Sequence, residues 1–324
     1  MGGAKFLIAS LVFYLYEWYY TYMAEDQDNL PTPQQRARKA FEALCTEEDA
    51  AIDLGRAALL IACEEYPELD IAHYLAQLDV LAMQVRAALG IVDVSEDAEL
   101  AQVLQELGPF PIIDAINQVL FAQEHFRGSS KADYYNPRNS FLNDVLERRI
   151  GIPITLSLVY IEVGRRLGVR IDGIGMPFHF IVGYCLPEGR IYIDAYEQGR
   201  ILTEEDCRER MSRYFKGKVH FNRRWLQPVS HRQLLVRMLD NLKYIYMSRE
   251  DDKRALSVCD RLVLLAPHSA IERRDRGRLY LHLKMYGRAL RDLKKYLELA
   301  SEGEDVEEVQ KQVNALRQFI AMMN

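Results

Sequence analysis

The sequence predicts an α+β fold: a buried helix and a small antiparallel sheet, preceded by wrapping helices and followed by helical repeats. Three observations carry this. Residues 154–167 are apolar on nearly every face, as a helix surrounded by protein would be. Phe178 to Cys185 and Arg190 to Ala195 are rich in Ile, Val, Phe and Tyr, and Leu186-Pro187-Glu188-Gly189 between them has the chemistry of a hairpin turn. The last third has an internal period: Ala255 and Ala289, Tyr246 and Tyr280, and Leu256 and Leu290 each stand 34 apart.

From the N-terminus, Phe6 to Tyr16 is apolar and aromatic, with Lys5 before it and Glu17 and Trp18 after. It is short against the ~20 apolar residues of a spanning helix. It lacks a small-residue cleavage site, and Phe6 occupies the place where a myristoylation signal needs Ser or Thr. The expectation is a cytoplasmic protein with residues 1–30 as an extension. The alternatives are a membrane anchor in residues 6–22, or translation starting at Met23.

Residues 34–90 read as two helices. Thr46-Glu47-Glu48-Asp49 resembles a capping box, and Asp70 can cap the helix in which Ile71, Tyr74, Leu75, Leu78, Leu81, Ala82 and Val85 share one face. Further helices are expected over Asp97–Leu107 and Ile112–Phe126. Asn136-Pro137 then marks a turn, and Asn139 or Ser140 can cap a helix Phe141–Arg149. The polar cluster here has two readings. Asn136, Arg138, Asn139 and Asn143 either form the wall of a binding pocket, or their side chains satisfy turn and cap backbone groups.

The apolar helix opens Gly151-Ile152-Pro153. Proline suits the first helical position, where its missing N–H would be unpaired anyway. Gly168 closes the helix, with Arg165 and Arg166 in the last turn at the negative end of the dipole. If the hairpin turn centres on Pro187-Glu188, His179 lies opposite Tyr196 and Asp194 is its diagonal neighbour on the same face. A His–Asp couple on a sheet, facing the start of a buried helix, is the arrangement of a papain- or transglutaminase-type triad, with the imidazole as base and the carboxylate orienting it.

From about Asp70 to the C-terminus, and most specifically over Tyr134–Leu158, the chain resembles the transglutaminase-like core of the SirB-type bacterial proteins, which carry tetratricopeptide repeats behind that core. The resemblance implies that a catalytic member would open the buried helix Gly-x-Cys, with the thiol pKa lowered by the helix N-terminus. Here Gly151-Ile152-Pro153 stands in that place, and His179 and Asp194 match the other two triad members. Pro153 has no nucleophilic side chain, so the resemblance implies a degenerate active site. Thr155 and Ser157, within the first turn or so of the helix, are the alternative nucleophiles. Cys185 shares a strand face with His179, but six residues of strand separate them by ~20 Å.

After the hairpin, Leu202-Thr203-Glu204-Glu205-Asp206 reads as a strand running into a capped helix. Arg208–Arg224 is basic: a patch for phosphate or an acidic partner, or a solvated face. In the periodic region Pro267 follows Ala255 by 12, the tetratricopeptide spacing. Two repeats span Leu234–Pro267 and His268–Ser301, and Val306–Met323 closes them. Because an independent solenoid needs at least about three repeats, two should lean on the core. Domains are therefore expected over 31–230 and 231–324.

At 324 residues, 49% hydrophobic and 27% charged, the chain can build two cores. A formal charge of −6 and the lack of a DNA-binding helix pair argue against nucleic acid, although the SirB name suggests control of gene expression. The five cysteines, at 45, 63, 185, 207 and 259, show no C-x-x-C spacing and read as reduced thiols. No metal-ligand spacing, P-loop or dinucleotide fingerprint calls for a metal or cofactor. The expected function is a non-catalytic protein that binds a protein or peptide through its cleft or its repeats. The alternative is a residual hydrolase or amide-transfer enzyme using His179 and Asp194 with a hydroxyl or an activated water.

Overall fold

A computed structural model describes residues 31–91, 94, 96–300 and 305–323. The readings placed on residues 1–30 lie outside the described residues. The fold is α+β, with helices predominating. Helices α1 (Pro33–Leu44), α2 (Leu54–Ala62), α3 (Ile71–Ala88), α4 (Asp97–Leu107), α5 (Pro109–Asn117) and α6 (Leu142–Arg148) precede the buried helix α7 (Pro153–Leu167).

Asp70 caps α3 by accepting from the N–H groups of Ala72 and His73. The region 34–90 holds three helices rather than two. Thr46 does not open a helix; its hydroxyl donates back to Ala43 O and finishes α1. Asp53 caps α2 instead, through Arg56 N–H. The expected helix over Ile112–Phe126 is α5 continued by a π-helical turn at Gln118–Gln123. Helix α6 starts one residue later than expected, after Phe141 and without a side-chain cap, because Asn139 is engaged elsewhere.

Helix α7 runs over the residues predicted for it and ends at Gly168 in the left-handed region, φ 81°. Of its residues only Arg165 and Arg166 escape full burial. Its one carboxylate, Glu162, is buried and paired with both, which satisfies a charge that the core could not otherwise hold.

Strands β1 (Arg127–Gly128) and β2 (Ile150–Gly151) pair in parallel just before α7. The main sheet is antiparallel, in the order β3 (Ile171–Ile174), β4 (Ile181–Leu186), β5 (Gly189–Asp194), β6 (Arg200–Leu202). Sequence reasoning did not find β3. The hairpin register is the one that a turn on Pro187-Glu188 dictates, with Leu186 opposite Gly189 and Val182 opposite Ile193. The first strand is shorter than expected. Phe178 adopts φ 58° and His179 N–H turns back to Met176 O, so the chain joins the ladder only at Ile181.

Helix α8 (Glu204–Phe215) follows, capped by Thr203 and Asp206 as the pattern required. The C-terminal helices are α9 (His231–Ser248), α10 (Asp252–Leu265), α11 (Ala270–His282), α12 (Tyr286–Leu299) and α13 (Val306–Met323). Ala255 and Ala289 are fully buried, and Gly277 lies so close to Leu293 that a Cβ would come within 2.8 Å of its side chain. The repeats lean on the core. Asp49 accepts from the N–H groups of His231 and Arg232 at the start of α9, and Leu234, Leu235, Met238 and Leu239 join the main apolar core. No described helix is long and apolar enough to cross a membrane.

Candidate functional site

The site lies where the start of α7 faces the loop before β4 and one side of α9. Ile152 is extended, and Pro153 takes the first helical position. His179 and Pro153 line the same cleft, of about 800 Å³. His179 Nε2 lies 2.9 Å from Asp194 Oδ2, at the end of β5. The imidazole is 13% exposed and the carboxylate fully buried.

Asp194 is held from three further directions. Its Oδ1 accepts from the N–H groups of Tyr196 (3.0 Å) and Glu197 (3.2 Å). Its Oδ2 also accepts from Arg210 of α8. Burial alone would push this carboxyl up, but the bond to His179, reinforced by the Arg210 guanidinium, holds it below the ordinary carboxylate range. An ionised Asp194 accepts from Nε2 of the imidazole, and no described side chain bonds to Nδ1.

No thiol or aliphatic hydroxyl lines this cleft among the described residues. Thr155 is fully buried; its Oγ1 accepts from Ile152 N–H (3.0 Å) and donates to Asn139 O (2.8 Å). Ser157 is equally buried, and its hydroxyl has no partner. Neither faces His179 across the cleft. Cys185 donates to Asp172 at 3.1 Å, and burial, with that carboxylate, pushes its thiol up. Burial likewise pushes Cys45 and Cys207 up to about 11 and Cys259 up to about 12. These are unreactive thiols.

The structure does not bring Asn136, Arg138, Asn139 and Asn143 to His179. Asn136 accepts from Arg138 N–H and donates to Asp133. Asn139 donates to Asp133 O and accepts from Arg148. Arg138 pairs with Asp144 at 2.6 Å, and together with Asn143 it borders a separate cleft along Leu69–Tyr74. Short-range bonding around the Asn-Pro turn claims Asn136 and Asn139, and Arg138 is held by Asp144, whereas the buried Oδ1 of Asn143 has no partner.

Several residues of the site went unforeseen. Arg210 lay inside a basic run, and nothing in its spacing singled it out. Arg237, Asn241 and Tyr244 of α9 line the cleft from the repeat side. Arg237 donates to the main-chain oxygen of His179 at 3.1 Å. Aromatic rings supply most of the remaining wall. Tyr135 contacts Tyr134 and Tyr244, with centroids 5.3 Å apart in each pair, and Phe178 stacks on Tyr214 at 4.0 Å. Among the described residues no group of three His, Cys, Asp or Glu side chains could hold a metal ion.

Comparison with known proteins agrees with this architecture. Residues 72–240 match the transglutaminase-like superfamily, and residues 242–314 match a tetratricopeptide repeat. A UPF0162 protein of Xylella fastidiosa (strain Temecula1) is 38% identical over 79% of this chain and 87% of its own length. A second, from strain 9a5c, is 37% identical over 80% and 88%. F-box only protein 21 of Mus musculus is 34% identical over 54% of this chain but only 28% of that protein. The matched span and these identities make this chain a member of the transglutaminase-like superfamily, carrying tetratricopeptide repeats like those matched at its C-terminal end.

Proposed function

We propose that this chain is a SirB-type, non-catalytic member of its superfamily, and that it holds a polypeptide segment in the cleft between the core and the first repeat helix. The observation that carries this is Pro153. It occupies the mouth of the buried helix, on the same cleft as His179, where acyl-transfer chemistry needs a nucleophile. With no thiol or aliphatic hydroxyl on the cleft among the described residues, the imidazole can orient a ligand but has no side-chain nucleophile of that kind to activate. Tetratricopeptide repeats suit protein–protein interaction, and α9, whose last residues fall in the matched repeat, also forms part of the cleft wall. A core over 31–230 and repeats over 231–324 would then act as one receptor. A cytoplasmic location fits the five unpaired cysteines.

A second reading is favoured by the 2.9 Å bond between His179 and Asp194. In it, Nδ1 of His179 takes a proton from a water that attacks an amide carbonyl, and the amine leaves with that proton. One comparison tests both readings. Wild-type protein and His179→Ala are assayed for peptide hydrolysis and amine incorporation, and each is used to recover partners from native lysate. Equal, background activity with a polypeptide partner lost on Tyr244→Ala supports the first reading. Turnover that disappears in His179→Ala overturns it in favour of the second.

A further inference from the structure

The chain carries 47 Asp and Glu against 41 Lys and Arg, yet among the described residues no carboxylate lines the cleft at His179. Among those residues its one fixed cation is Arg237. This guanidinium is half-buried and makes no salt bridge among the described residues. Its polar bond goes to the His179 carbonyl, at 3.1 Å, and its plane sits 5.9 Å from the ring centroid of Phe180. Asp240, on the same helix, pairs with Lys243 instead. Burial pushes the guanidinium below its ordinary value, the mark of a cation with too little compensating charge around it. A charge withdrawn from water ordinarily has a counter-charge. Here the space in front of it is an open cleft.

The surroundings narrow the class of ligand. Tyr214 belongs to the cleft wall, and Arg213, Lys216 and Lys218 next to it in sequence are exposed and form no ion pair among the described residues. Three exposed cations without an ion pair among the described residues thus stand within four residues of a wall residue, beside the cation in the cleft itself. A lone terminal carboxylate would engage only Arg237, whereas a segment with several acidic side chains would suit the further cations as well. The tyrosines offer flat, partly polar surfaces for the apolar residues between those acids. Resting on the polypeptide-binding reading above, we infer that the cleft recognises an acidic polypeptide segment, with one Asp or Glu carboxylate gripped by Arg237 and its neighbours lying along the tyrosine walls.

The test is selection of binders from a displayed library of random short peptides on the full chain, followed by affinity measurement of the recovered sequences. Recovered peptides should be enriched in Asp and Glu. Replacing their key Glu by Gln should weaken binding about tenfold or more, the effect of losing one charge-assisted hydrogen bond. Arg237→Met should cause a similar loss, and Arg237→Lys should restore part of it. The peptide-side replacement needs no protein variant, so it holds even if Arg237→Met folds poorly. Peptides recovered without acidic enrichment, or indifferent to Arg237, overturn this inference and leave the polypeptide-binding reading standing. Recovery of no peptide above background overturns both.

Discussion

Arg210 donates to Oδ2 of Asp194, the same oxygen that meets His179 Nε2. Two donors thus share one buried carboxylate oxygen, and one of them is a permanent cation. The carboxylate's charge serves both the imidazole and the guanidinium of α8. Arg210→Met should leave Asp194 with less compensation and cost about 3 kcal/mol of stability, measured by urea unfolding. The pH dependence follows. Because the folded-state value of Asp194 lies below the ordinary carboxylate range, its contribution is complete above about pH 4 and is lost as pH falls through that lower value. In Arg210→Met the folded value should rise towards the unfolded one, so that less stability is lost over this range and the loss ends at higher pH. An unchanged acid limb would mean that the ion pair contributes nothing.

Pro153→Cys should place a thiol at the helix mouth, opposite the free face of His179. Its rate of alkylation against pH should report a pKa below the usual value of about 8.5, rising again when His179→Ala is added. A thiol with an ordinary pKa, indifferent to His179, would show that Pro153 does not stand at the nucleophile position.

The two aliphatic hydroxyls of α7, on Thr155 and Ser157, should behave oppositely. Thr155→Val removes a hydroxyl that both accepts from Ile152 N–H and donates to Asn139 O, and should cost about 1–3 kcal/mol. Ser157→Ala removes a buried hydroxyl without a partner, and should be neutral or slightly stabilising. Denaturant midpoints for the two variants check both signs, and neither substitution should alter ligand binding.

Glu64 sits between Arg38 of α1 and Arg261 of α10. Burial pushes its carboxyl up, but these two guanidinium groups pull it down to about 2. Its contribution is therefore present above about pH 4.3 and disappears towards pH 2. Solvent screening limits the effect to about 1 kcal/mol. Glu64→Gln should remove that part of the acid sensitivity in a pH series of thermal melts.

The local grammar of the chain was readable because it is written in adjacent residues. Asp70 and Thr203 cap the helices they precede, Gly168 ends α7, and a two-residue centre at Pro187-Glu188 sets the hairpin register. What escaped depends on contacts between distant segments. The left-handed turn at Phe178 removes His179 from the ladder, and no pattern of period two announces it. Arg210 reaches Asp194 across 16 residues and Arg237 reaches His179 across 58; each comes from a helix whose own sequence explains it as a surface face. The cluster Asn136–Asn143 was expected near His179, and the structure places it elsewhere, with Arg138 and Asn143 bordering a separate cleft. Its composition suits a ligand, but neighbours within nine residues consume much of its bonding capacity.

The grip of Arg237 on the His179 carbonyl has an architectural consequence. Arg237, Asn241 and Tyr244 of the pocket wall belong to a helix that a boundary drawn near residue 230 would assign to the appendage, so truncation there would leave a trough with part of one bank missing. Whatever lodges in it stitches the two halves together, and a ligand's arrival should be felt as resistance to their separation.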